Sequence, residues 1–313
     1  MPNVVITERL DQACADWLAE HANVIWCRHD EGERFSGELA SAEGLVVRTY
    51  TQVNAELLDQ APNVKVVGRA GVGLDNIDLD ECKRRGVAVV YTPDANTQAV
   101  VEYVLSLIFD EIRPRQTIGD PIDDAAFHQM RKDLVGTQFN QLTLGIVGFG
   151  RIGKRLARAA SALGVKLLVN DLITESDLQS AVDFDFEFAD KPTLYANSDI
   201  VTLHVDGRFE NRHMIDADEL QQFKPGNLLI NSARGMLIDN DALAAWARNG
   251  GRAILDVHDP EPLPIDYPLY GLPTVRLLPH LASRTETALA NMSWVVRDVV
   301  EVLNGRTPQC SAF

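Results

Sequence analysis

Eight short apolar runs, rich in β-branched residues, constrain the fold of this chain more than any other feature. They are Leu45 to Val47, Lys65 to Val67, Val87 to Val90, Leu142 to Val147, Val165 to Val169, Asp199 to Leu203, Leu228 to Asn231 and Ala253 to Val257. A strand with one wet face alternates apolar and polar residues. A run that is apolar throughout is the pattern of a parallel strand covered on both faces. A ninth run, Val4 to Ile6, is followed by an amphipathic stretch. Between the runs lie helical patterns such as 151–163, where Ile152, Leu156, Ala159, Ala160 and Leu163 share one face. This alternation predicts an α/β protein with parallel sheets. No internal repeat or low-complexity linker interrupts it.

Two longer helices are expected. One runs over 96–113 and is stopped by Pro114; the other runs over 285–304 and ends at Gly305, a good residue just past a helix C-terminus. They flank 114–282 and suggest a central domain inserted into an outer one, and 313 residues suffice for two domains. The formal charge of −16, from 45 acidic and 29 basic residues, argues against nucleic acid or an anionic membrane as a partner. No apolar run is long enough to span a bilayer, and the start MPNVVITERLDQACADW lacks the pattern of a signal peptide. Cys14, Cys27, Cys82 and Cys310 follow neither a zinc spacing nor a disulfide framework, so reduced thiols and a cytoplasmic location are expected.

The sequence LGIVGFGRIG carries G-x-G-x-x-G at Gly148, Gly150 and Gly153. It follows the strand LTLGIV and opens the helix at 151, beginning Arg151-Ile152. The next strand, VKLLVN, ends at Asp171, 18 residues past Gly153. Strand, glycine turn, helix and acid together are the context a dinucleotide site requires. Gly148 permits the tight turn, Gly150 admits a pyrophosphate to the backbone, and Gly153 brings helix against sheet. The helix N-terminus supplies free N–H groups for the anion. Asp171 is placed to accept the adenosine ribose hydroxyls. No Arg or Lys occurs in 172–175 to hold a 2′-phosphate, so NAD is favoured over NADP.

Further motifs resemble those of the D-isomer-specific 2-hydroxyacid dehydrogenases over about 40–308: VVRTYTQV (46–53), GRAGVGLDNIDLD (68–80), SDIVTLH (198–204), NSARGMLID (231–239), LDVHDPEPLP (255–264) and PHLAS (279–283). The first two are most similar to the phosphoglycerate dehydrogenases within that family. The resemblance implies two Rossmann-like, doubly wound parallel-sheet domains. A discontinuous substrate domain (1–96 and 284–313) would hold an inserted NAD-binding domain (97–283), with substrate in the cleft. It also implies a homodimer contacting through 96–140, where Arg131 and Lys132 could lend charge to the partner.

Oxidising a 2-hydroxy acid requires a carboxylate clamp, a proton acceptor and a hydride acceptor. Arg234, just after a strand, offers a planar fork for a carboxylate and the adjacent oxygen, as its counterpart in N-x-A-R-G does. His280, at the end of the strand Thr274 to Leu278, is the acid–base candidate. Its partner is Glu261 by the motif, although spacing alone does not separate Glu261 from Asp259. Asp256 matches the aspartate that orients the nicotinamide carboxamide, and His204, Ala233 and Thr97 fall on cofactor-side motifs. Asn96 and Thr97 also read as helix caps. Arg48 and Arg69 each end an outer strand and would receive a substrate phosphate, while Val72 and Gly73 would offer N–H groups to its carboxylate.

The chain departs from the family pattern at Val205-Asp206-Gly207-Arg208, at Leu172, and at His258, where phenylalanine is usual; PHLAS leans toward glyoxylate and hydroxypyruvate reductases. The expected reaction is NAD-dependent oxidation of D-3-phosphoglycerate to 3-phosphohydroxypyruvate, feeding serine synthesis, without a regulatory domain. The alternatives are a reductase of glyoxylate, hydroxypyruvate or another 2-oxo acid, and an NAD(H)-sensing corepressor-like protein.

Overall fold

The apolar runs form two all-parallel sheets, and the computed structural model, which describes all 313 residues, places each in its own unit. The outer unit comprises Met1–Asn96 with Ser283–Phe313; the inner unit is Thr97–Ala282. In the outer unit the strands are β1 (Asn3–Ile6), β2 (Asn23–Trp26), β3 (Gly44–Val47), β4 (Val66–Arg69) and β5 (Ala88–Tyr91), in the order β2-β1-β3-β4-β5. Successive residues feed opposite cores: Val5, Leu45, Val47 and Val67 join one cluster, and Val4, Ile6, Val46 and Val66 the other. Both faces are therefore dry, which is why these strands do not alternate.

The inner unit continues with β6 (Thr143–Val147), β7 (Lys166–Asn170), β8 (Glu187–Phe188), β9 (Ile200–Leu203), β10 (Leu228–Asn231), β11 (Arg252–Leu255) and β12 (Val275–Leu277). Their order is β12-β11-β10-β9-β6-β7-β8. The chain therefore winds outward from β6 in one direction and restarts at β9 in the other. The C-terminal ends of β6 and β9 flank that switch point, where open α/β sheets bind ligands. In the outer unit the corresponding point lies between β1 and β3.

The helix expected over 96–113 is Thr97–Ile112, with Val100, Val101, Val104, Leu107 and Ile108 in the inner unit's core. The helix expected over 285–304 is instead two, Glu286–Ser293 and Val296–Leu303. Ser293 accounts for the break: its Oγ donates to the Leu289 carbonyl at 2.8 Å and accepts the Asp11 N–H at 3.0 Å. A serine bonded back to the i−4 carbonyl competes with the helical ladder. The next turn tightens accordingly, the N–H groups of Val295 and Arg297 reaching back three residues to Met292 and Trp294. The polar segment after Pro114 holds a helix, Asp124–Asp133, that buries none of its residues. No helix is long and apolar enough to cross a membrane.

Candidate active site

At the inner switch point, Gly148 takes φ +93°, and a Cβ there would lie 2.5 Å from the His204 carbonyl oxygen. A Cβ on Gly153 would lie 2.2 Å from the Gly148 carbonyl, so only glycine lets the helix Arg151–Ser161 approach the strand end this closely. Gly150 caps that helix, and a Cβ there would meet nothing, leaving its N-terminus open to a ligand. Arg151 is exposed and Ile152 half-buried in the first turn. The Phe149 N–H donates to Asp171 Oδ2 at 2.6 Å and the Ile173 N–H to Asp171 Oδ1 at 2.9 Å. The acid thus ties the glycine turn to the end of β7, and each oxygen keeps acceptor capacity for a ribose hydroxyl. Leu172 and Ile173 beside it are exposed. This cradle fits a dinucleotide diphosphate and offers no cation from 172–175 for a 2′-phosphate. Burial pushes the His204 imidazole down to about 4, so it is neutral at pH 7, with Nε2 3.0 Å from Thr202 Oγ1.

The loops after β10, β11 and β12 leave neighbouring strands at the same sheet edge. Buried Asn231 shapes the first: its Oδ1 accepts the Ala233 N–H at 3.0 Å and its Nδ2 donates to the Arg234 carbonyl at 2.8 Å. Arg234 is half-buried, with Nη1 2.7 Å from the Ala233 carbonyl. The second loop passes close by, since a Cβ on Gly235 would sit 2.0 Å from the His258 carbonyl carbon.

Within that loop Glu261 receives two donors, the His258 N–H on Oε1 at 2.7 Å and His280 Nδ1 on Oε2 at 2.9 Å. With Nδ1 engaged, Nε2 is the ring nitrogen left to exchange a proton with a ligand. Partial burial raises the Glu261 pKa, but the hydrogen bond and charge of His280 and the His258 N–H outweigh it and hold the carboxyl below its usual value. Asp259, the other acid the spacing allowed, turns to Arg212 at 3.1 Å, and the Asn240 amide holds its carbonyl. The His258 ring is also turned away, its Nε2 2.8 Å from the Leu278 carbonyl and its face edge-on to Tyr267. Asp256, fully buried, accepts the N–H groups of Leu281 and Ala282, both at 2.8 Å, and the Tyr103 hydroxyl at 2.9 Å. Thr97 is buried in the first turn of its helix. The cap expected of Asn96 is not made through its side-chain oxygen, which is buried without a hydrogen bond.

In the outer unit one carboxylate organises the loop after β3. Glu8 Oε1 accepts the N–H groups of Arg48, Tyr50 and Thr51 and the Thr51 hydroxyl, at 3.0, 3.1, 3.2 and 3.2 Å, and Oε2 accepts the Thr49 N–H at 2.9 Å. Asn76 Nδ2 closes the loop by donating to the carbonyls of Arg48 and Thr51. Arg48 Nη1 reaches the Arg9 carbonyl at 3.1 Å. Burial and the neighbouring Arg284 charge lower the Arg48 pKa, and Arg284 weighs more than Glu8, which acts the other way. Arg69 ends β4 with Nη1 3.3 Å from the Ala70 carbonyl. No hydrogen bond engages the N–H of Val72 or Gly73. Sequence reasoning missed Glu8, Arg284 and Tyr103. Only Arg284, directly after the PHLAS motif, carried a positional signal.

The family described as D-isomer specific 2-hydroxyacid dehydrogenase, NAD binding domain, matches residues 105–282. The chain belongs to this family. It is an NAD-dependent oxidoreductase acting on 2-hydroxy acids or their 2-oxo counterparts. It is 38% identical to the (S)-sulfolactate dehydrogenase of Chromohalobacter salexigens over 305 residues, covering 96% of this chain and 97% of that one. It is 32% identical to the glyoxylate reductase of Thermofilum pendens, covering 98% and 93%. It is 30% identical to the D-3-phosphoglycerate dehydrogenase of Archaeoglobus fulgidus, covering 96% of this chain but 57% of that one. Among solved structures, a D-lactate dehydrogenase from Aquifex aeolicus, complexed with NAD and lactic acid, superposes with a TM-score of 0.82 at 27% identity, covering 97% and 96%.

Proposed function

We propose that this enzyme interconverts a three-carbon D-2-hydroxy acid and its 2-oxo acid, where the third carbon carries a second oxyanion, a sulfonate or a phosphate. The observation that carries this substrate class is the Arg48–Arg284 pair. Arg48 follows β3 at the outer sheet's switch point, with its backbone N–H held by Glu8, and the charge of Arg284 acts on its guanidinium. Like charges held together are costly unless an anion joins them, and a guanidinium fork matches sulfonate and phosphate alike. Arg69 would add a third cation. Val72 and Gly73 would offer N–H groups to the substrate carboxylate.

(S)-Sulfolactate and D-3-phosphoglycerate have the same spatial arrangement at carbon 2. The sulfur-bearing carbon outranks the carboxyl in the naming rules, which reverses the descriptor and not the geometry. Both are therefore candidates for one D-specific site. Sulfolactate leads on the 38% likeness; the second candidate, D-3-phosphoglycerate oxidised to 3-phosphohydroxypyruvate, would place the enzyme in serine synthesis.

In this reading Arg234 holds the carboxylate and the 2-oxygen in one plane. His280 Nε2 takes the hydroxyl proton during oxidation and returns it during reduction, and Glu261, still ionised, stabilises the imidazolium. Gly148, Gly150 and Gly153 would seat NAD with Asp171 at the ribose, and the nicotinamide so held would supply the hydride acceptor for carbon 2. Ala233, His204 and Thr97 would line the nicotinamide side, while Asp256, fully buried, would act from behind them through its hold on the N–H groups of Leu281 and Ala282. The helix Asp124–Asp133 buries nothing of its own and lies in a segment exposing Ile118, Phe127 and Val135, which supports a homodimer through this region.

The test is NADH oxidation with 3-sulfopyruvate, 3-phosphohydroxypyruvate, hydroxypyruvate, glyoxylate and pyruvate. One of the first two should exceed the last three at least tenfold in kcat/KM. Arg284→Ala and Arg48→Ala should each raise its KM about tenfold, the worth of one charge-assisted contact. Equal turnover of glyoxylate or pyruvate, unmoved by either substitution, would replace this reading with a reductase of small unsubstituted 2-oxo acids.

A further inference from the structure

His280 has a left-handed backbone, with φ +55°, a conformation that residues with a side chain seldom adopt without external support. The support is visible. The N–H groups of the next two residues, Leu281 and Ala282, both point at the Asp256 carboxylate, at 2.8 Å each. The His280 N–H folds back to the Leu278 carbonyl at 3.1 Å. Asp256 is therefore the anchor that turns the chain and directs the imidazole to Glu261, 2.9 Å away. The carboxylate itself is fully buried and has no cationic partner. Its one side-chain donor is the Tyr103 hydroxyl at 2.9 Å, which comes from a distant part of the sequence on the helix Thr97–Ile112.

We infer that Tyr103 is a positioning residue for His280, acting through Asp256: its hydroxyl fixes the carboxylate in the rotamer that presents one oxygen to Leu281 and the other to Ala282. This inference rests on the reading of His280 as the acid–base group. A buried carboxylate is costly unless donors satisfy it. Without the phenol, Asp256 keeps two N–H groups and is free to rotate. Rotation releases the N–H pair, and with it the turn that aims the imidazole. Burial and the adjacent Asp256 charge push the Tyr103 phenol up, so it remains a donor throughout the pH range in which the enzyme works. The dinucleotide cradle around Gly148 to Gly153 shares none of these hydrogen bonds, so the effect should fall on proton transfer and spare cofactor binding.

Tyr103→Phe removes only the hydroxyl. Three measurements on the full-length protein are needed: kcat with the best 2-oxo acid, NADH affinity by fluorescence titration, and the solvent deuterium isotope effect on kcat. The expected result is a kcat lowered about tenfold, as for a slightly misaimed catalytic group, with NADH affinity within about twofold and a larger solvent isotope effect because proton transfer has become limiting. A kcat within twofold of the parent overturns the inference. So does a loss that appears equally in NADH affinity with the isotope effect unchanged, which is the mark of general loosening. His280→Gln is measured beside it. If that variant is inactive while Tyr103→Phe is not, the inference about Tyr103 alone fails; if His280→Gln keeps its activity, the acid–base reading fails with it.

Discussion

Replacing Glu8 by glutamine should cost the outer unit both stability and substrate affinity, and the cost should depend on pH in a defined direction. Five donors converge on this carboxylate, four backbone N–H groups and one hydroxyl. An amide oxygen can replace Oε1, but the amide nitrogen then faces the Thr49 N–H, so donor meets donor. One hydrogen bond is lost outright and the rest fall from charge-assisted to neutral, together about 2–3 kcal/mol. That corresponds to a fall in midpoint on the order of 10 °C for a domain of this size.

The backbone donors outweigh burial and hold the Glu8 carboxyl below its usual 4.5. A depressed carboxylate pKa contributes stability that is complete above the unfolded value and is lost as pH falls through the folded one. The gap between parent and Glu8→Gln should therefore be full at pH 7 and close progressively below about pH 4.5, where protonated Glu8 resembles glutamine. Urea unfolding at a series of pH values reads this directly. KM for the two-anion substrate should rise while kcat holds, because the loop carries Arg48. A gap that is absent at neutral pH, or unchanged at low pH wherever the parent remains folded, would refute the reasoning.

Two further tests address the inner unit. Gly153→Ala forces a Cβ to within 2.2 Å of the Gly148 carbonyl; the expected cost is about 1–3 kcal/mol with NADH affinity weakened at least about tenfold by fluorescence titration, since helix and turn must part. His204, lowered by burial to about 4, binds its proton in the unfolded chain before the folded one, so its contribution to stability is complete above about pH 6.5 and lost as pH falls toward 4. His204→Gln should flatten that part of the stability–pH curve, as read by denaturant midpoints.

The strands were legible because burial on both faces leaves no room for polar residues, and the nucleotide turn because its glycines answer steric demands one at a time. Strand β2 was not, since Asn23 and Trp26 at the sheet edge are exposed and break the apolar run. The break in the C-terminal helix was hidden because it depends on a hydrogen bond between Ser293 and Asp11, far apart in sequence. The choice between Glu261 and Asp259 needed the family motif, because only the fold sets Asp259 against Arg212 and Glu261 against His280. Glu8 and Tyr103 had no local signature, because each acts on backbone or carboxylate groups brought to it only by the fold.

The groups proposed for the reaction and those proposed for substrate choice lie in different units. Arg234, Glu261, His280 and Asp256 all follow β10, β11 and β12, which are consecutive neighbours in one sheet. Parallel strands about 4.8 Å apart bring the loops at their C-terminal ends together whatever their separation in sequence. Their mutual hydrogen bonds then leave little freedom to any one of them. Glu261, for instance, is shared between the His258 backbone and the His280 ring. The cations Arg48, Arg69 and Arg284 sit on the outer unit, where a different carboxylate, Glu8, holds the loop that carries Arg48. In the reading proposed above, a change at Arg284 would alter which tail is accepted and leave the proton's path as it is. Such a separation would fit a chain that resembles relatives named for sulfolactate, phosphoglycerate and glyoxylate over almost its whole length. The hydroxy-acid end common to all three needs one set of groups, and the differing ends need another. The net charge of −16 is compatible with anionic substrates on the same grounds, because arginines held at a sheet edge act over a few ångströms, while a diffuse surface charge is screened by salt within about 8–10 Å.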